Sequence, residues 1–179
     1  MGDKIILSRI TAGLALFTGL FLNGCKNVLP TTMFTPTSQG VELAFETIER
    51  SDVPGIQGED PKMVIIARGE EIDTLGDTIS FSAQDELRNL DFNEYFVIAV
   101  FQGLKGTNMY GVDIQRVTKS GNTLTIFAHF TERNPELGAA DVNTSPYHLV
   151  KVQKNGLQGE FDFFLNVDGQ VILKVSSTL

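Results

Sequence analysis

"EYFVIAVFQG", Glu94 to Gly103, is a continuous apolar run built from Val, Ile and Phe. It is bounded by Asn93 on one side and Gly103 on the other. A run of this kind reads as a strand covered on both faces. Such a strand needs one apolar layer above it and one below, so the rest of the chain has to supply both.

Towards the C-terminus the pattern changes from continuous to alternating. "YGVDIQRV" puts Tyr110, Val112 and Ile114 on one side, and "KSGN" then turns. "LTIFAHF" puts Leu124, Ile126, Ala128 and Phe130 on one side, with Phe127 and His129 opposite. "TERNPELGAADVNTSP" reads as a long loop and "YHLVKVQK" as the next strand. "EFDFFLNV" gathers Phe161, Phe163, Leu165 and Val167, and Asp168-Gly169 is a type I′ hairpin signal leading into "VILKVS".

Towards the N-terminus, "SAQDELRNL" is the best helix. Ser82 is its expected cap, Asp85 closes a capping box, and Ala83, Leu87 and Leu90 share a face. "EEIDTLG" suits one or two helical turns, and "KMVIIARG" a short strand. "SDVPGIQGEDP" reads as loop, and "VELAFETI" as a strand with Val41, Leu43 and Phe45 on one side. The sum is some eight strands and one or two helices. The predicted fold is mainly β with a short helix: a β-sandwich or a barrel-like antiparallel sheet, with minor α+β character on the N-terminal side.

Composition narrows the function classes. The chain has 179 residues, 42% of them hydrophobic, and thirteen Phe but no Trp. A net charge of −8 makes nucleic acid and anionic lipid poor partners for the folded body. The one cysteine, Cys25, cannot form an internal disulfide or a thiolate metal cluster. It has another use. Lys4 and Arg9 precede the nearly uncharged "ITAGLALFTGLFLNG", the order of a secretory signal, and the run ends in "LNGC". That ending resembles the lipobox of bacterial lipoproteins, in which the cysteine is acylated. The expected organisation is a signal peptide over 1–24, lipidation at Cys25, a Thr/Pro-rich tether over 25–40 and a single β-rich domain over 41–179. Extended, the tether reaches about 50 Å. Lys26 after the cysteine weakly favours the outer membrane in a Gram-negative envelope.

Catalytic signals are thin. Ser145 and His148 stand three residues apart in "TSPYH". No glycine elbow flanks the serine, and strand parity puts His148 with Val150 and Val152 on a core face, bonded to a backbone carbonyl. His129 and His148 lie in different strands without a metal-ligand pattern. No catalytic residue, metal or cofactor is therefore expected. The most distinctive loop is "QGLKGTNMYG", Gln102 to Gly111. It reads either as a hairpin connection or as a presented loop, with Thr107, Asn108 and Met109 at an exposed tip and Tyr110 anchoring its base.

Three segments together resemble one family: "FVIAVFQGLKGTNMYGVDI", "LTIFAHFTERNP" and "NTSPYHLVKVQK". Their order is similar to the C-terminal domain family of the protease complex subunit PrcB, and the resemblance extends over about 41–154. Where that family has Gly-Gly before the loop tyrosine, this chain has Asn108-Met109. The resemblance implies a non-catalytic, membrane-anchored protein that binds a protein partner, as an accessory or stabilising subunit of an envelope protease. The candidate contact residues, read from the loop itself, are Thr107, Asn108, Met109 and Tyr110, with Pro146 and Tyr147 holding the neighbouring loop in register with its strand. The alternatives are a protease-inhibitor-like module, since the loop is similar to that of chagasin-like inhibitors, and a hydrolase using Ser145 and His148.

Overall fold

A computed structural model describes residues 40–54, 58–132, 134, 138 and 140–179. The expected signal peptide, Cys25 and the tether as far as residue 39 lie outside the described residues. The elements are β1 (Val41–Leu43), β2 (Phe45–Pro54), β3 (Lys62–Ile66), two 3-10 turns (Gly69–Thr74 and Gly76–Thr78), α1 (Phe81–Arg88), β4 (Tyr95–Phe101), β5 (Lys105–Thr107), β6 (Gly111–Ser120), β7 (Thr123–Thr131), β8 (Asp141–Gln153), β9 (Glu160–Val167) and β10 (Gln170–Thr178).

They form two sheets. The first has the order β1-β6-β7-β9-β10, and the second β2-β8-β4-β3 with β5 also paired to β8. The fold is a sandwich and not a closed barrel. Pairing is antiparallel except between β7 and β9, which run parallel, so the first sheet is mixed. A parallel pair needs a crossover, and β8 supplies it by passing through the second sheet.

The apolar run of β4 sits as its composition demands, with Phe96 to Phe101 all fully buried. Phe96, Ile98 and Val100 face the space between the sheets, against Val112, Ile114, Leu124, Ile126, Phe163 and Leu165. Val97, Ala99 and Phe101 face the other way, under Leu75, Ile79, Ala83 and Leu87 of the 3-10 turns and α1. The molecule therefore has three layers: helix, sheet, sheet. Burying a side chain of Leu, Ile or Phe size is worth about 1.5–3 kcal/mol, so β4 contributes to two cores at once.

Several local expectations are corrected. "VELAFETI" is not one strand: the chain changes sheets at Ala44, so β1 pairs with β6 while β2 pairs with β8. Val41 is 72% exposed, and only Leu43 and Phe45 reach the core. β2 runs on to Pro54 along β8, although Ser51 to Pro54 were expected in a loop. Likewise β8 begins at Asp141, within the expected long loop. The helix starts at Phe81 and is capped by Ser80, not Ser82. Ser80 has a tertiary partner that local sequence does not reveal.

Candidate functional site

The "TSPYH" stretch lies in β8, between β2 on one side and β4 and β5 on the other. Side chains along a strand alternate between faces. Ser145, Tyr147 and Leu149 therefore point to the helix layer, and His148, Val150 and Val152 to the space between the sheets. Tyr147 and Leu149 belong to the outer core, and Val150 and Val152 to the inner one. Ser145 and His148 are both fully buried and project from opposite faces. Pairing of the two as nucleophile and base, the alternative reading, does not fit this placement.

On the inner face the His148 ring joins the two sheets. The Ile114 amide of β6 donates to Nδ1 at 2.8 Å. Nδ1 therefore carries no proton, and Nε2–H donates to Thr47 Oγ1 at 2.9 Å. The expected bond to a backbone carbonyl is replaced by a bond from a backbone amide. Burial, reinforced by the nearby Arg50 guanidinium, pushes the His148 pKa down to about 4, against an opposing pull from Asp113. Arg50 and Asp113 bridge the sheets beside it at 2.5 Å.

On the outer face Tyr147 packs against Phe101, ring centroids 5.7 Å apart, and its hydroxyl donates to Glu49 Oε2. The Ser80 amide donates to the same Tyr147 oxygen at 3.0 Å. Ser80 Oγ donates to Glu49 and accepts from the Ala83 amide at 3.0 Å. This network fastens the start of α1 to the sheet. Burial first, then the Glu49 bond, raises the Tyr147 pKa to about 12. A bulge between Thr47 and Glu49 lets one strand serve both networks. It reverses the facing of β2, so Thr47 turns inward to His148 and Glu49 outward to Tyr147.

The Gln102–Gly111 connection is not a hairpin. It carries the chain from the second sheet to the first, and β5 pairs with β8 on the way. Gly103 has φ +84°, and a Cβ there would stand 2.3 Å from the Glu59 carbonyl oxygen. The loop lies beside β8: Thr144 Oγ1 donates to the Thr107 carbonyl at 3.1 Å. Thr107 is 5% exposed and is not the tip residue expected of it. Asn108 is exposed, and Met109 and Tyr110 are half-buried. The Lys105 ammonium lies 5.4 Å from the Tyr110 ring centre. Pro146 and Tyr147 are buried in the sheet, so they support this corner and present no surface. The open part of the expected contact is therefore Asn108, Met109 and Tyr110.

Two of the cavities among the described residues concern these elements. One, of about 680 Å³, is lined by Arg68, Phe92, Lys154 and Leu157. Arg68 is held by Glu71 at 2.5 Å, and Lys154 donates to the Ala67 carbonyl at 3.2 Å. The other, of about 460 Å³, lies beside Gln102 and Lys105. Sequence reasoning passed over Gln102, whose burial follows only from the crossing of the chain between sheets. Among the described residues no group of three or more His, Cys, Asp or Glu side chains is arranged to hold a metal.

No curated protein and no solved structure matches the chain. A family model, described as PrcB C-terminal, matches residues 96–153. That span runs from the first buried residue of β4 to the last residue of β8 and includes the Gln102–Gly111 loop and "TSPYH", while the network partners Thr47, Glu49 and Ser80 lie outside it. Over Phe96 to Gln153 the chain is accordingly similar to the PrcB C-terminal family.

Proposed function

We propose that this chain is a non-catalytic envelope lipoprotein that binds a protein partner, in the role of an accessory or stabilising subunit of a protease. One observation carries the non-catalytic reading: Ser145 and His148 are fully buried on opposite faces of β8, and His148 spends both ring nitrogens on structural bonds. The family match over 96–153 supports a protease complex as the setting. The exposed Asn108 beside half-buried Met109 and Tyr110 supports the sheet-crossing loop as the contact. The "LNGC" ending at Cys25, after an apolar run led by Lys4 and Arg9, supports lipid attachment.

The test is a photocrosslinking residue at Asn108 of the full chain, activated in living cells and read by mass spectrometry. The expected result is an adduct with one protease, lost when Met109→Asp is added. Absence of any protein adduct contradicts the reading. An adduct to a protease that the chain inhibits replaces the accessory role with inhibition. Substrate turnover lost in a folded Ser145→Ala or His148→Asn variant contradicts the non-catalytic role.

A further inference from the structure

Strand parity sorts the first sheet into two faces. Val117, Leu124, Ile126, Phe163 and Leu165 point into the sandwich. Thr118, Thr125, Phe127, Phe164 and Asn166 therefore point outward. The register sets Thr118 beside Thr125, Thr125 beside Phe164 and Phe127 beside Asn166. The 3-10 turns and α1 lie against the second sheet, and among the described residues no helix or strand packs on this outward face. Polar residues on an open sheet face are solvated. Here Thr118 is 6% exposed and Thr125 7%, both in mid-strand. Side chains this short and this buried on an outward face mark a covered surface.

The cations of this face are turned onto its own rings. The Arg116 guanidinium lies 4.2 Å from the Phe127 ring centre and the Lys174 ammonium 5.5 Å from that of Phe164. Lys174 also pairs with Asp162 at 2.9 Å. The cover that fits is uncharged and partly apolar, and the chain brings such a segment to this place. At the entry to β1, Gly40 runs against Thr118: a Cβ there would stand 3.2 Å from the Thr118 Cβ and 2.8 Å from the Lys119 carbonyl oxygen. The residues before it, Asn27 to Gln39, include no charged side chain, and the last six, "FTPTSQ", carry Phe34 and Pro36. Pro36 has no amide N–H for a ladder, which suits a segment lying across strands and not beside one. Six extended residues reach about 20 Å. From β6 to β9 is two strand spacings, about 10 Å.

We propose that Phe34 to Gln39 fold back over the outward face of the first sheet, covering Thr118 and Thr125 and setting the Phe34 ring against Phe127 and Phe164. The docking does not depend on the lipid reading above. One consequence does: with a lipid on Cys25, the free link to the membrane shrinks to residues 25–33, about 30 Å extended instead of about 50 Å.

The test uses the full chain in detergent. The chain has no tryptophan, so Phe34→Trp supplies a single probe. Its emission is expected to lie to the blue of that of the urea-unfolded chain and to resist acrylamide quenching. Adding Thr125→Arg, which sets a charge in the middle of the face, should move the emission to the red and restore quenching. Adding Phe81→Ser, at an exposed aromatic residue of α1, should do neither. A blue emission that Thr125→Arg leaves unchanged reports detergent and overturns the proposal, as does a probe that is quenched from the start. If Thr125→Arg does not fold, a photoreactive benzoylphenylalanine in place of Phe164 decides. An adduct with Phe34 to Gln39 of the same chain is expected. An adduct with a second copy or with another protein, or no adduct, overturns the proposal.

Discussion

Lowering the pH from 7 to 4 should remove about 3 kcal/mol of folding stability through His148 alone. Its pKa falls from 6.5 to about 4 on folding, and each pKa step is worth roughly 1.4 kcal/mol. The sign follows from proton counting. Between these values the unfolded chain holds a proton on this ring and the folded chain does not, so stability rises with pH. The contribution is fully present above about 6.5 and is lost as pH falls through about 4. The geometry gives the same direction, because a second ring proton would have to sit on Nδ1, facing the Ile114 amide that donates to it. His129 works the other way. Its bond to Asp168 raises its pKa, so its stabilising effect is lost as pH rises. The assay is urea unfolding at a series of pH values, for the parent and for His148→Asn. Asn keeps an acceptor near the Nδ1 position but cannot titrate. His129 is common to both proteins and cancels in the difference. The two stability curves should converge by about 3 kcal/mol on acidification. Parallel curves would refute the assignment of His148 as a buried neutral ring.

Three substitutions probe neighbouring features. Ser145→Ala should leave unfolding free energy within about 0.5 kcal/mol or raise it slightly, because Ser145 Oγ is buried with no partner among the described residues; a loss above about 2 kcal/mol would show a missed hydrogen bond. Tyr147→Phe should cost about 2 kcal/mol in denaturant unfolding, since it deprives Glu49 of one donor and the Ser80 amide of its acceptor. In the parent, ultraviolet titration should show one tyrosine ionising near 12, absent from that variant. Gly103→Ala should cost about 2 kcal/mol or more in thermal or denaturant unfolding, because a Cβ there meets the Glu59 carbonyl oxygen at 2.3 Å and φ is +84°; a neutral result would mean the loop moves aside.

What could be read in the sequence was whatever periodicity and turn chemistry determine locally. The buried run of β4, the alternation in β6, β7 and β9, and the Asp168-Gly169 turn all appear where the pattern put them, with φ of 51° and 90° at the turn. Sheet membership could not be read. Nothing in "VELAFETI" marks the change of sheet at Ala44, and the parallel β7–β9 pair follows from where β8 docks. Local rules favour Ser82, three residues before Asp85, whereas the cap is Ser80, whose Glu49 and Tyr147 contacts are tertiary. The site was half legible. Parity alone put His148 on a core face. The exposure expected of Thr107 failed because β5 pairs with β8 and buries it.

Nitrogen NMR of the His148 ring is the most direct check that "TSPYH" is framework and not reacting machinery. From pH 7 down to 5 the ring should remain neutral, with the proton on Nε2 and Nδ1 acting only as an acceptor. A ring that titrates near 6.5, or carries its proton on Nδ1, would contradict that claim.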